Sequence, residues 1–211
     1  MVTPHPLDPN QPLVICDADE VLVQFLRGLE RYLDKQGLYI DITSFRIHGN
    51  VREQETNTHV PDHAVTDHIA QFFEHETATL DPVPGARDAL TRLNTNAQIL
   101  ILSNLPPTAR QARIDNLTQH GMPYPVMAGS GPKGVIVQQI VASMRAPIVF
   151  IDDLPLHHAS VASSTPHVQR LHFVADPRLA KLVGPSPDAH ARIDTWPEAT
   201  EWIERALSNP H

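Results

Sequence analysis

The sequence predicts an α/β protein in which a parallel sheet carries helices on both faces and a small helical segment is inserted after the first strand. Three observations predict it. Short apolar runs, each stopping at a polar cluster, recur along the chain as buried strands do. Between them stand segments whose apolar residues repeat at helical spacing, and strands alternating with helices in this way imply parallel pairing. From about residue 39 to residue 80 that alternation lapses, with histidines and acids common and only one clear helical pattern, which marks an insertion.

The elements follow in order. Leu13-Val14-Ile15-Cys16 is a buried strand ending at Asp17. Leu22, Phe25, Leu26, Leu29, Tyr32 and Leu33 then form one face of an amphipathic helix, with Gly37 at its end. Within the insertion, Val65, Ile69, Phe72 and Phe73 mark a further helix. Pro84-Gly85 opens the next, whose buried face is Ala86, Ala89, Leu90 and Leu93. A strand over 98–102 leads through Ser103-Asn104-Leu105-Pro106-Pro107 into a helix closed by Gly121. A strand over 124–128 leads through a glycine turn into a helix over 135–144, and 148–151 runs into Asp152-Asp153. The last strand is expected at 171–174 and a final helix at 196–207, where Trp196 and Trp202 are given a packing role only. The core is thus 11–22 with 81–211, and the insertion is 23–80.

Composition limits the partners. A chain of 211 residues with 41% apolar and 19% charged residues can bury a real core. The net charge of −8, from 24 acidic and 16 basic residues, disfavours nucleic acid and anionic membranes, both of which are bound through Lys and Arg. Cys16 is the single cysteine, so no intrachain disulfide can form, and its place in a strand makes it a small core residue instead of a catalytic thiol. The N-terminus has no basic region ahead of an apolar run, and no apolar stretch approaches the roughly 18 residues that span a bilayer. A cytoplasmic protein is expected, with its oligomeric state open.

In a parallel α/β sheet ligands bind beyond the carboxyl ends of the strands. Asp17, Ser103, the glycine turn with Lys133, and Asp152-Asp153 should therefore collect at one edge. Asp17-Ala18-Asp19 alone is a weak signal, because carboxylates at a strand end often bond turn amides or face solvent. Adding Asp152-Asp153 changes the argument: carboxylates crowded in one cleft need a cation or raised pKa values. Mg²⁺ suits all-oxygen ligands, and Lys133 and Ser103 suit phosphate oxygens.

The order of these segments resembles the four signature motifs of the haloacid-dehalogenase-like superfamily: LVICDADEVL the first, ILILSN the second, Lys133 the third and IVFIDD the fourth. DPVPGARDAL is similar to the stretch by which that family re-enters its core, and the resemblance runs from about residue 13 to residue 153. It implies a Rossmann-like core with a helical cap of the family's first type at 23–80. It also implies roles. Asp17 would be the nucleophile forming an aspartyl-phosphate, and Asp19 would protonate the leaving oxygen and later activate water. Ser103, Asn104 and Lys133 would bind the substrate phosphate. Mg²⁺ would be held by the Asp17 carboxylate, the Asp19 backbone carbonyl, Asp152 and Asp153. The acid at position 19 selects a phosphatase over a dehalogenase, since halide leaves without a proton and an alcohol does not. The expected substrate is a phosphate monoester of a small metabolite, with a nucleotide or sugar phosphate preferred on the resemblance alone. Glu20 stands where glycine is frequent and is expected to add negative charge at the entrance, against highly anionic substrates.

Other readings compete. Phosphoryl transfer to a second hydroxyl, as in a phosphomutase, would use the same residues, and a non-catalytic ligand binder could keep the fold. Gly129-Ser130-Gly131-Pro132-Lys133-Gly134 fits the G-x-G-x-x-G of a dinucleotide fold, with Asp152 and Asp153 about twenty residues on. That reading leaves Asp17, Asp19 and Ser103 idle. His59 and His63, four apart, have the spacing of a zinc pair, but Pro61 between them favours surface histidines. His157-His158 follow Asp152-Asp153 closely and could touch substrate, but a solvated helix start after Pro155 accounts for them better. Arg46, His48, Arg52 and His75 are candidates for substrate recognition from the insertion, or a solvated polar face.

Overall fold

A computed structural model describes residues 7–208; residues 1–6, the start of the N-terminal stretch read above as lacking a basic region, lie outside the described residues, as do 209–211. The first strand, β1 (Leu13–Cys16), is followed by α1 (Phe25–Asp34), β2 (Leu38–Ile40), β3 (Val51–Glu53) and α2 (Asp62–Glu76), with a short 3₁₀ turn at Thr77–Thr79. Then come α3 (Ala86–Leu93), β4 (Gln98–Asn104), a 3₁₀ turn at Pro107–Ala109 and α4 (Arg110–Gln119). The chain continues through β5 (Val126–Gly129), α5 (Gly134–Val141), β6 (Ile148–Asp152), α6 (Pro155–Ser164) and β7 (Gln169–His172). It ends with α7 (Pro177–Ala180), β8 (Ala191–Arg192) and α8 (Trp196–Ser208).

Six strands form one parallel sheet in the order β5-β4-β1-β6-β7-β8. β1 is central, and its residues Leu13 to Cys16 pair with Gln98 to Ile101 on one side and Ile148 to Ile151 on the other. Alternation sends its side chains to two layers. Val14 and Cys16 join Ile99, Ile101, Leu90 and Ile203 on one face, while Leu13 and Ile15 join Leu100, Phe150, Val137 and Val161 on the other. All four side chains of β1 are fully buried, and at ~1.5–3 kcal/mol for each large aliphatic they fix the strand end that presents Asp17. Cys16 sits in this core as expected.

The segment between β1 and α3 departs from expectation. Besides α1 and α2 it holds an antiparallel pair, β2 with β3, so it is not purely helical. Three-residue strands give too little periodicity to read. Gly28 has a packing reason: a Cβ there would lie 2.2 Å from Leu80 Cδ2 and 3.4 Å from the Phe72 ring, so α1 could not close on its neighbours. The two ends of the segment run side by side. Val23 bridges Pro82, Gln24 N–H donates to Asp81 O at 2.9 Å, and Val83 N–H donates to Leu22 O at 2.8 Å.

Smaller differences matter for the site. The strand expected at 98–102 extends to Asn104, so Ser103 and Asn104 are strand residues. The two-residue β8 has no signature in the sequence. No helix among the described residues is long and apolar enough to cross a membrane.

Candidate active site

The carboxyl edge of the sheet assembles most of the expected residues. Asp17 leaves β1 with its N–H still donating to Ile151 O at 2.9 Å. Lys133, at the head of α5, places Nζ 2.6 Å from Asp17 Oδ1 and 2.7 Å from Asp152 Oδ2, and it is shut off from solvent. Carboxylate oxygens of Asp17, Asp152 and Asp153 all lie within 4.8 Å of one another. Burial pushes the Asp17 carboxyl up to about 7; Lys133 pulls against this while Asp152 and Asp19 add to it. Burial and the charges of Asp152 and Asp17 hold Asp153 well above the usual carboxylate range. Burial alone would push the Lys133 ammonium down, but Asp152 and Asp17 outweigh it and raise its pKa. One ammonium is thus shared among three carboxylates, which leaves the cluster short of positive charge.

Asp19 stands apart. After Asp17 the chain turns sharply, with Ala18 O accepting from Leu22 N–H and Val23 N–H at 2.8 and 2.9 Å. The Asp19 carboxylate is not one of the clustered three and accepts from Arg113 Nη2 at 2.5 Å. Arg113 projects from α4, is fully buried, and its Nε and Nη1 have no partner among the described residues. The sequence reading missed it. Trp196 does more than pack: its Nε1–H donates to Val21 O at 2.9 Å and so braces the same turn.

Ser103 is fully buried, and its Oγ has no hydrogen-bond partner among the described residues. Asn104 donates from Nδ2 to Gly131 O at 2.8 Å, and its Oδ1 is likewise unpartnered. Glu20 corrects an expectation. It is not a loose charge at the entrance: it is 3% exposed, with Oε1 accepting from Leu26 N–H at 2.6 Å and Oε2 from Asp176 N–H at 3.1 Å. Its φ of +56° lies in the left-handed region, which is why glycine is at home there.

His157 and His158 also differ from expectation, being buried instead of solvated. His158 Nε2 lies 3.0 Å from Asp152 O, and His172 Nε2 lies 2.8 Å from Asp153 O, so two imidazoles hold the backbone beneath the acid pair. His157 lies 3.3 Å from Asn104 Nδ2 and lines the cleft. Burial lowers the pKa of all three rings, with His172 brought to about 4.

A cavity of about 420 Å³ opens over Asp17, Asp19, Lys133 and Asp153 and is closed opposite by the 23–80 segment. Of the four recognition candidates, Arg46 and His48 line it. Arg52 is bound to Asp41 and to Asn57 O, and His75 is exposed elsewhere on α2. His59 and His63 are exposed, and α2 begins only at Asp62, so they do not share a helix.

The glycines behind the dinucleotide reading have local causes. Gly131 has φ +67°, a Cβ at Gly129 would lie 2.9 Å from Asn104 Oδ1, and one at Gly134 would lie 2.3 Å from Ser160 O, where α5 meets α6. The open hollow beside this turn is lined by no acidic residue, so it lacks the carboxylate that would bind a ribose.

The donor set of the cluster, three carboxylates with no sulfur or nitrogen ligand among them, fits a hard dication such as Mg²⁺. No protein-family model matches the sequence, and no curated protein does. Solved structures do match. YfnB of Bacillus subtilis, described as a HAD-type hydrolase and solved bound to magnesium, is 10% identical with TM-score 0.64, over 92% of this chain and 99% of that one. A HAD family hydrolase of Deinococcus radiodurans, solved with phosphate and sodium, is 17% identical with TM-score 0.63, over 94% and 97%. CbbY of Rhodobacter sphaeroides, in complex with xylulose-(1,5)bisphosphate, is 12% identical with TM-score 0.57, over 89% and 96%. The parallel sheet with its insertion behind β1 is thus the fold of these haloacid-dehalogenase-like hydrolases.

Proposed function

We propose that the protein is a Mg²⁺-dependent phosphohydrolase acting in the cytoplasm on a phosphate monoester of a small metabolite. The observation that carries this is the division of the acids: three carboxylates around Lys133, and Asp19 held outside them by Arg113. A nucleophile and a proton donor need such different surroundings.

In this reading Asp17 attacks phosphorus and forms an aspartyl-phosphate as the ester bond breaks, and the departing alkoxide takes a proton from Asp19. Asp19 then accepts a proton from the water that cleaves the acyl phosphate, releasing inorganic phosphate and restoring Asp17. Lys133 balances charge on the phosphoryl oxygens, with the buried Ser103 hydroxyl and Asn104 as further donors. Mg²⁺, held by Asp17, Asp152, Asp153 and the Asp19 carbonyl, would supply the remaining positive charge. His158 and His172 keep the acid pair in place from behind, and residues 23–80 act as the cap that excludes water. A dehalogenase would have no use for an acid at Asp19.

The test is phosphate release from small phosphate esters with Mg²⁺. Asp17→Asn should lower turnover ~10⁴–10⁶-fold, as loss of a nucleophile does in other covalent hydrolases, and a chelator should abolish it. A folded protein that binds no Mg²⁺ would sink the proposal.

A further inference from the structure

We infer that the alcohol released by this site is a compact apolar group, aromatic or branched aliphatic, and not a sugar or nucleoside. The inference rests on the phosphohydrolase reading above and names its substrate class.

The two walls of the cavity are chemically opposite. The core wall presents Asp17, Asp19, Lys133 and Asp153, with Glu20, Asn104 and His157 beside them at its base. Facing it are Phe25 from α1, Ile40 and Ile42 from β2 and just beyond, Ile47 from the following loop, and Ile69 and Phe73 from α2. Each of these six is half-buried, so each packs on one side and leaves apolar surface towards the cleft. Phe25 and Phe73 pack with their rings tilted 38° and centroids 5.7 Å apart and are backed by Phe72, whose ring meets that of Phe25 edge-on at 5.2 Å. The polar groups on this side are Ser44, Arg46 and His48, all exposed, and His48 Nε2 is engaged with Thr66 Oγ1 at 2.9 Å.

A sugar fits such a wall badly. Each hydroxyl buried without a partner weakens binding about ten-fold or more, and a pentose or hexose would turn several towards isoleucine and phenylalanine. An apolar group gains from the same surface. Size agrees: since about 150 Å³ holds a benzene ring, a cavity of about 420 Å³ has room for the phosphoryl group and one to two rings.

The test compares esters whose leaving groups are all primary alkoxides, so that the chemistry is matched. With Mg²⁺, kcat/KM is measured for naphthylmethyl phosphate, benzyl phosphate, glucose 6-phosphate, ribose 5-phosphate and AMP, with acetyl phosphate as a small donor that touches only the core wall. The two aryl esters should exceed the sugar and nucleoside esters by about 100-fold or more. Phe73→Ala and Ile47→Asn should each lower the ratio of naphthylmethyl phosphate to acetyl phosphate turnover about ten-fold, chiefly through KM. Equal or faster hydrolysis of the sugar or nucleoside esters would overturn the inference and leave the phosphohydrolase reading standing. No hydrolysis of any compound, acetyl phosphate included, by folded protein saturated with Mg²⁺ would overturn both.

Discussion

Lys133 and Arg113 are both hidden from solvent, and each meets a carboxylate of the same short turn, yet their surroundings are opposite. Lys133 answers to Asp17 and Asp152 with Asp153 close by, so its side of the turn has more carboxylates than cations. Arg113 answers to Asp19 alone and has two nitrogens to spare. An extra cation is welcome on the first side and repelled on the second. That asymmetry is what the proposed mechanism requires, a cation beside Asp17 and none against the Asp19 carboxylate.

The comparison is broken most severely at Lys133. Lys133→Met removes the one cation from a buried carboxylate cluster, and loss of one partner from a buried pair costs ~3–5 kcal/mol. Turnover should fall at least ~10²–10³-fold, as when a donor to a developing oxyanion is lost. Urea unfolding with and without Mg²⁺ should show the stability deficit partly restored by the ion; a deficit indifferent to Mg²⁺ would mean that the cluster does not hold it. In the wild type, Mg²⁺ at a hundred times its Kd should add about 2.7 kcal/mol.

Arg113→Met should behave otherwise. Asp19 is 17% exposed and can be hydrated when its partner goes, and two unpaired nitrogens leave with the guanidinium, so stability should stay within about 1 kcal/mol of wild type. Activity is the sharper readout. Hydrolysis of benzyl phosphate, whose alkoxide needs a proton, should fall ~10–100-fold, less than the ~10²–10⁴-fold of general acid catalysis because Asp19 itself remains. In kcat/KM, which reports the steps up to release of the leaving group, acetyl phosphate, whose acetate leaves without a proton, should lose much less, and equal losses on both would reduce Arg113 to a structural role.

A further effect, on stability, is expected at Glu20. Glycine would remove the left-handed strain, ~1–2 kcal/mol, but would also remove two hydrogen bonds to a carboxylate, ~1.5–3 kcal/mol each. Glu20→Gly should therefore destabilise by about 1–5 kcal/mol in thermal melts. Burial pushes the Glu20 carboxyl from an ordinary 4.5 up to about 7, against the pull of the Leu26 and Asp176 N–H groups. The folded state holds that proton more tightly than the unfolded one, so this group's contribution is greatest below pH 4.5 and declines as pH rises towards 7. The glycine variant should lack that slope.

The two cations also show what a sequence can and cannot disclose. Lys133 was legible because it follows a strand and a glycine turn, at the edge where parallel sheets bind ligands. Arg113 was not, since RQARIDNL reads as an ordinary half-polar helix and its partner is 94 residues away. The places of His158 and His172 were missed for a related reason: their rings meet backbone carbonyls, a task that leaves no periodic trace. The strands with four or more apolar residues were readable as a central sheet, whereas β2, β3 and β8 are too short to carry a pattern. Ser103 was expected in a loop, but it ends a strand, because β4 continues pairing with β5 as far as Asn104.

The paired chain ends at Val23 and Pro82 have a mechanical consequence. Two connections bonded edge to edge act as one ribbon, and the segment is tied to the core at other points as well, by Asn116 Nδ2 donating to Leu80 O at 2.8 Å and by the Arg178–Glu30 ion pair, so it resists twisting. The ribbon lies close to the carboxylate cluster, because Glu20 N–H donates to Val23 O at 2.9 Å and the Glu20 carboxylate holds the first turn of α1 through Leu26. One carboxylate therefore ties the helix that carries Phe25 to the residue next to Asp19.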